Sequence, residues 1–378
     1  MPPRVAILPP VPVPYREPLF RALAERGRVI PHVVYLAGTQ PGWDQPSDWF
    51  SEARGYGSDI LSGWQRSRAG RSPITFPRRL GKALSRARAD CVVSWEYGPA
   101  TLRALAWGRR RGVPLLVFSE LTRWSDADLS ALQVRVHRLV APRVAGFIVA
   151  SSQGAERLLA LGVPPDCIEV ALQSAEVDSL RPRGEAPGGP VRILAVGRLV
   201  PDKNLGSLIT AFAEAGFEDG EAELEIRGTG PLEGELRALA ERLGVSARFP
   251  GTVPPAELGA VYADAGALAL VSTYEPFGVT LREAAAAGLP LIASRRAGAV
   301  GDVAVEGENA LLVDPRDEGA VTRALGRLLT ERGLREDLAA GSRAVTERTP
   351  LERDAEAFER AIRAAVSPER PSRSRPGR

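Results

Sequence analysis

Two carboxylates, Glu275 and Glu283, flank a glycine, Gly278, in the run Ser-Thr-Tyr-Glu-Pro-Phe-Gly-Val-Thr-Leu-Arg-Glu-Ala-Ala-Ala-Ala-Gly from Ser272 to Gly288. The apolar run before it, Ala267 to Val271, is short enough for a buried parallel strand. An alanine-rich helix is expected from near Val279 until Gly288 and Pro290 stop it. A strand–loop–helix unit of this kind aims free backbone N–H groups and the positive end of a helix dipole at the strand's carboxyl edge, which suits a phosphate. Acids beside an anion site repel the anion and are better placed to accept hydrogen bonds from hydroxyls. Phosphate together with hydroxyls points to a nucleotide sugar. The plainer alternative is an ordinary α/β unit with surface acids.

The cations that such a site needs occur upstream, in Gly197-Arg198-Leu199-Val200-Pro201-Asp202-Lys203-Asn204. This run follows another strand, and ligands of open α/β sheets sit outside the carboxyl ends of strands. Arg198 and Lys203 together could neutralise a diphosphate leaving group without metal. At an effective dielectric of about 20, one charge pair at 4 Å is worth up to roughly 4 kcal/mol. Lys82 and Lys203 are the only lysines among 49 basic residues, so arginine is the default cation here and a retained lysine hints that a compact point charge is wanted. Arg198 and Lys203 could equally pair with Asp202 or cap a helix. A third piece, Arg227-Gly228-Thr229-Gly230-Pro231, is a turn at the end of the next strand; tight turns use glycine anyway, so its position is what gives it weight.

The elements that must position these residues follow from the alternation of short apolar runs with helical periodicity. Strands are expected at Val5–Leu8, Ile30–Leu36, Cys91–Ser94, Pro114–Phe118, Gly146–Ala150 and Ile168–Ala171, with helices between them. The loop after the first strand is Pro9 to Pro14 and contains no glycine, which argues against a dinucleotide fingerprint there. Gly38 to Pro73 reads as a hairpin or loops. Residues 1–181 form one doubly wound α/β domain, and 182–190, rich in Gly and Pro, a linker. The alternation restarts over 191–350 and includes a helix expected at Val300–Val305. A last helix spans 351–366, and the Pro, Ser and Arg-rich tail 367–378 reads as disordered. At 378 residues, 44% hydrophobic and 25% charged, the chain is a two-domain globular protein with no run near the roughly 20 apolar residues of a membrane span. Its start is too short and proline-broken for a signal peptide. Cys91 and Cys167 fit no metal or redox spacing and suit a reducing cytoplasm; with only His32 and His137, a histidine metal cluster or a Ser-His-Asp triad is not expected. A net charge of +3 gives no case for nucleic acid.

These three pieces, in this order and in the second of two α/β domains, resemble glycosyltransferase family 4, retaining enzymes of the GT-B fold. The resemblance covers nearly the whole C-terminal domain, extends to Ala150-Ser151-Ser152 and to Val163 through Asp178, and is most specific in Glu275-Pro276-Phe277-Gly278 with Glu283. It implies two Rossmann-like domains facing each other across a cleft. It implies that Arg198 and Lys203 hold the donor diphosphate beside Gly197, and that Glu275, Pro276 and the backbone of Phe277 and Gly278 hold the donor sugar. Val279, Thr280 and Leu281 would offer N–H groups to phosphate, Glu283 would bind the ribose diol, and Gly228, Gly230 and Val253 would line the base and ribose pocket. The implied reaction is a metal-independent, retaining hexosyl transfer, with attack from the face that the diphosphate leaves, and the last helix would cross back onto the N-terminal domain. The chain departs from many relatives in having prolines in its first loop, and Ser119-Glu120 where a histidine is common. Arg16, Glu96 and Glu120 are left as candidates for that catalytic place.

The acceptor belongs to the N-terminal domain, which holds all six tryptophans: Trp43, Trp49, Trp64, Trp95, Trp107 and Trp124. Aromatic faces stack on sugar rings or pack against lipid, although core packing is the ordinary use of any one of them. Trp107 reads as core, whereas Trp95, directly after a strand, is the best acceptor candidate. From Arg66 to Arg111 twelve basic residues stand against Asp90 and Glu96, a footprint for anionic lipid or a solvated arginine face. The acceptor class is a glycan, a lipid-linked sugar or a small glycoside, in the cytoplasm and in one version at the inner face of the membrane. Two other readings keep the fold: a nucleotide-sugar hydrolase or epimerase, and a nucleotide-sugar binding protein without activity.

Overall fold

The computed structural model describes residues 1–40, 55–68, 71–175, 177–181, 189–217 and 220–367. In chain order the first half gives β1 (Arg4–Leu8), α1 (Glu17–Arg26), β2 (Ile30–Tyr35), β3 (Gly57–Ile60), β4 (Gly63–Arg68), β5 (Arg71–Pro77), α2 (Leu80–Arg86), β6 (Cys91–Trp95), α3 (Pro99–Arg111), β7 (Leu115–Ser119), α4 (Ala131–Val140), β8 (Gly146–Val149), α5 (Ser152–Ala160) and β9 (Ile168–Val170). Seven of these strands form one parallel sheet in the order β3-β2-β1-β6-β7-β8-β9. The strands β4 and β5 form a separate antiparallel hairpin. Central strands such as β6 and β7 are buried along their whole length, as expected of a sheet covered by helices on both faces.

The second half gives β10 (Val191–Val196), α6 (Leu205–Glu214), β11 (Ala222–Arg227), α7 (Glu233–Arg242), β12 (Ala247–Gly251), α8 (Leu258–Ala263), β13 (Ala267–Leu270), α9 (Val279–Ala286), β14 (Leu291–Ser294), β15 (Ala310–Val313), α10 (Glu318–Thr330), α11 (Arg332–Arg348) and α12 (Leu351–Val366). Its six-stranded parallel sheet runs β12-β11-β10-β13-β14-β15. The chain is thus an α/β protein with two Rossmann-like sheets. The strand order reverses beside β10, where β11 lies to one side and β13 to the other. That is the switch point at which such sheets open a crevice.

The helix expected at Val300–Val305 does not form. Gly301 and Gly307 adopt left-handed φ of 91° and 75°, and the segment folds through single bridges between Val300 and Ala304 and between Glu306 and Ala310. The buried Asn309 side chain completes it, accepting from the Val305 amide and donating to the Val303 carbonyl, both at 2.8 Å. Of the proposed linker, 182–188 lies outside the described residues, as do Trp43, Trp49 and the tail from 368 onward.

The two halves are tied at the back of the cleft. Helix α12 leaves the second sheet and packs on the first: the buried Phe358 ring lies 5.7 Å from that of Phe118, Glu359 pairs with Arg26 at 2.7 Å, and Arg360 pairs with Glu169 at 2.9 Å. At its start the buried Asp354 pairs with Arg282 at 2.7 Å and accepts from the Leu172 amide at 2.8 Å. No helix among the described residues is long and apolar enough to cross a membrane.

Candidate active site

The loops that leave β10, β11 and β12 are laced by backbone hydrogen bonds: Gly197 N to Arg227 O and Leu199 N to Thr229 O, each 2.9 Å, and Gly228 N to Gly251 O, 2.8 Å. Gly228 explains why this turn uses glycine. Its φ is 134°, and a Cβ there would stand 1.9 Å from the Gly197 carbonyl oxygen. The β11 turn therefore packs backbone to backbone on the Gly197–Leu199 loop. Val253 lies just beyond, half-buried against the core.

Lys203 ends a short helical turn, Pro201–Lys203, that leads through Asn204 into α6. Asn204 sits at a left-handed φ of 54° and donates to the carbonyls of Val271 at 3.3 Å and Pro315 at 2.9 Å, which fixes this turn to the end of β13. The Thr273 amide donates to Asp202 O at 2.9 Å and closes the same seam. As a result Lys203 Nζ meets Glu275 Oε2 directly, and Ser272 Oγ donates to that oxygen at 3.3 Å. The cation expected on the diphosphate and the carboxylate expected on the sugar hydroxyls thus hold one another. Arg198 lies half-buried on the adjoining loop and has no carboxylate partner among the described residues.

Gly278 opens α9 at a left-handed φ of 98°; the Leu281 amide is taken by the Gly278 carbonyl at 2.9 Å, which leaves Val279 and Thr280 as the first-turn donors with no backbone partner among the described residues. Gly298 permits the Pro276 carbonyl to lie against it, since a Cβ there would stand 2.0 Å from that oxygen. Glu283 is buried and accepts from the Tyr262 hydroxyl at 2.7 Å; burial raises its pKa, and the Tyr262 hydrogen bond opposes that shift. Glu283 and Glu275 therefore have different partners, at different depths of the same helix entry.

On the facing lobe, Arg16, Trp95, Glu96 and Glu120 form one cluster. Arg16 pairs with Glu120 at 3.2 Å, and the Trp95 indole N–H donates to the same Glu120 oxygen at 3.1 Å. Glu96 accepts from the Glu120 amide at 2.6 Å and from Ser119 Oγ at 2.9 Å. Burial, above all, pushes the Glu96 carboxyl up to about 7. Trp95 does not offer its face as expected: it is 5% exposed, with Phe118 at 4.0 Å and the Arg16 guanidinium at 4.9 Å from its ring. The cleft closes between Tyr274 and Ser125, whose hydroxyls lie 3.4 Å apart, and burial raises the Tyr274 phenol to about 12. His32 pairs with Asp59 at 2.9 Å, and His137 stacks at 4.0 Å on Tyr97, so neither belongs to this cluster.

Arg282, which sequence reasoning passed over, and Trp124, which it named only among the six tryptophans, matter here. Arg282, between Leu281 and Glu283, is buried and donates to Gln173 O at 2.9 Å and Thr349 O at 2.8 Å besides pairing with Asp354. Trp124 lies at the lobe interface, where Arg123 and Arg296 both approach its ring. The Arg-Trp and Arg-Arg doublets were the visible signal, in a chain where arginine is too common to stand out.

Comparison with known proteins agrees with this architecture. Residues 12–171 match the model of a "Glycosyl transferase 4-like domain", and residues 176–345 that of "Glycosyl transferases group 1". The chain is 34% identical over 145 residues to the glycogen synthase of Mycobacterium tuberculosis, a match that covers 38% of this chain and 35% of that one, so it spans about a third of that relative. It is 30% identical over 282 residues to the MMP alpha-(1->4)-mannosyltransferase of Mycolicibacterium hassiacum, covering 68% of this chain and 66% of the relative. The crystal structure of Anabaena HepE in complex with UDP and glucose has the same fold, with a TM-score of 0.76 at 17% identity over 94% of this chain and 98% of that one. With one family model matching each lobe, the chain belongs to the group 1 glycosyl transferases of the GT-B fold.

Proposed function

We propose that the protein is a retaining, hexosyl-type glycosyltransferase that moves a sugar from a nucleoside-diphosphate sugar to a hydroxyl of a glycan, glycolipid or small glycoside, without a bound metal. The observation that carries this reading is the meeting of Lys203 and Glu275 at the entry to α9, with Arg198, which has no carboxylate partner among the described residues, on the adjoining strand end. A diphosphate arriving there meets two cations and the free amides of Val279 and Thr280. It draws Lys203 from Glu275 and frees that carboxylate for the sugar hydroxyls. As the glycosidic bond breaks, these cations take up the charge developing on the leaving diphosphate. Glu283 receives the ribose diol, and Gly228, Gly230 and Val253 line the base. Arg16, Glu96 and Glu120 form the acceptor side, where the buried Arg16 pairs with Glu120 and Glu96 holds Glu120 through its backbone. The family models and the HepE complex with UDP and glucose support the donor class; retention rests on the Glu275–Glu283 pattern.

Glu275→Ala and Lys203→Ala are expected to lower turnover by about 10²–10³ while circular dichroism stays unchanged. Near-normal turnover in both would sink the reading. The anomeric coupling of the product, read by NMR, should match that of the donor, and activity should persist in EDTA. Rapid release of free sugar without acceptor would make the protein a hydrolase instead.

A further inference from the structure

A pocket of about 330 Å³ opens between the lobes, large enough for a monosaccharide with one substituent. Arg123, Trp124 and Gln153 line it from the first lobe, and Arg295, Arg296 and Asp314 from the second. The Arg123 guanidinium lies 4.5 Å from the Trp124 ring centre, and that of Arg296, from the opposite lobe, lies 5.2 Å from the same ring. Both charges therefore fall within the roughly 10 Å over which ions still interact in 0.1 M salt. Neither arginine has a carboxylate partner among the described residues. Arg295 is engaged by Glu306 at 2.8 Å, and the lining carboxylate, Asp314, leaves the positive charge in excess.

Two buried polar atoms of these lining residues lack a partner among the described residues: the Trp124 indole N–H, which needs an acceptor, and Gln153 Oε1, which needs a donor. Gln153 is oriented by its own amide, which donates to Ala297 O at 3.0 Å and Val300 O at 3.1 Å. Leaving such groups unmet is costly, so a ligand that shifts these two side chains and supplies an acceptor oxygen and a hydroxyl would satisfy both. Its walls adjoin the donor loop on both sides. Ser125, next to Trp124, meets Tyr274, and Ala297, next to Arg296, bridges to Glu275.

We propose that this pocket binds an oxyanion group, a phosphate or a carboxylate, carried by the acceptor sugar, with Arg123 and Arg296 as its specificity-determining residues. The inference rests on the glycosyltransferase reading above, because it assigns the ligand to the acceptor. The test is calorimetric titration of the full chain with glucose 6-phosphate, glucuronic acid and, as a neutral control, glucose. At least one anionic probe should bind and glucose should not; which one binds separates phosphate from carboxylate. Arg123→Gln and Arg296→Gln should each weaken that binding by about tenfold, whereas Arg296→Lys, which keeps the charge, should lose less. Lys203→Ala should leave it unchanged. Equal binding by wild type and both glutamine variants, loss only in Lys203→Ala, or no binding of either anionic probe would overturn the proposal. Thermal shifts with UDP-, GDP-, dTDP- and ADP-sugars, run in parallel, separate the two readings. A nucleotide-sugar shift without anion binding refutes this inference alone, and no nucleotide-sugar shift refutes the donor site itself.

Discussion

At the scale of single residues, Glu96 carries the most unusual environment in the cleft. It is one of four non-glycine residues at positive φ among the described residues, at 52°, and it is held there by its own amide on Phe118 O at 2.8 Å and by Thr101 Oγ1 donating to its carbonyl at 2.6 Å. A left-handed carboxylate fixed this firmly beside a reaction cleft is a strained position that its surroundings over-determine. Its folded-state pKa of about 7 lies above the value of an exposed glutamate. The folded state therefore keeps a proton that the unfolded chain releases, and stability from this residue is lost as pH rises from about 4.5 to 7, by up to about 3 kcal/mol. His137, pushed down to about 4 by burial and then by the Arg157 charge, works the other way and favours the fold as pH rises from about 4 to 6.5. The difference between wild type and Glu96→Gln isolates the first contribution. In urea titrations it should shift in the variant's favour between about pH 4.5 and 7 and stay flat above; a constant difference across that window would mean that Glu96 titrates as an ordinary carboxylate. The placement of Glu275 and Lys203 in loops at strand ends was legible in the sequence because glycine, proline and strand ends punctuate both loops. That they would pair with each other was not, since it depends on Asn204 and Thr273 closing a seam between two loops, with Lys203 and Glu275 standing 72 residues apart in the chain and α6 through β13 between them.

Among elements, α9 does more than present amides. Its first turn is where we propose the diphosphate binds, Glu283 reaches Tyr262 on α8, and Arg282 reaches across to the crossing segment at Gln173 and to the start of α12. A helix of eight residues has little stability of its own, so these side chains set its position. Arg282→Ala leaves Asp354 buried without its cation and two carbonyls without their donor. It should cost about 3–5 kcal/mol in chemical denaturation, whereas replacing Arg282 and Asp354 together by apolar residues should cost much less. A loss below about 1 kcal/mol for Arg282→Ala would mean that water replaces the guanidinium at little cost. The sequence placed α9 well because its apolar run, its glycine and its closing Gly288 all agree. It misplaced a helix at Val300–Val305 because the local pattern carried no sign of the Asn309 side chain that organises the turn from its far end. Trp95 was misjudged for a similar reason: its strand-end position was legible, but the rings and guanidinium that cover it come from other elements.

For the molecule as a whole, the cleft is an arrangement of two sheets whose carboxyl edges face one another, held at the back by α12 and near the front by Tyr274 on Ser125 and by Ser152, which donates to Asp302 from both its amide, at 2.7 Å, and its hydroxyl. At the rear the Phe118–Phe358 contact and the Arg282–Asp354 pair are buried, whereas the Ser152–Asp302 contact at the front is exposed, so opening and closing would hinge at the rear. Ending the chain before Leu351 uncovers Phe118 and removes the partners of Arg26 and Glu169. Such a truncated chain should melt well below the full protein and bind an exposed-hydrophobic dye, as scanning fluorimetry would report; an unchanged melting temperature would show that the first lobe stands alone. Both sheets were legible from alternation except for the edge strand β3, which falls in the Gly38–Pro73 stretch read as a hairpin or loops. The interface was not, because its residues are spread over the chain and carry no shared local pattern.

The path of α12 also sets an order on the ribosome. The first lobe's sheet is synthesised early, but the helix that covers Phe118 is encoded after every strand of the second lobe. The growing chain must therefore carry an uncovered apolar face through most of its synthesis, and the half that begins first can be the last to finish folding.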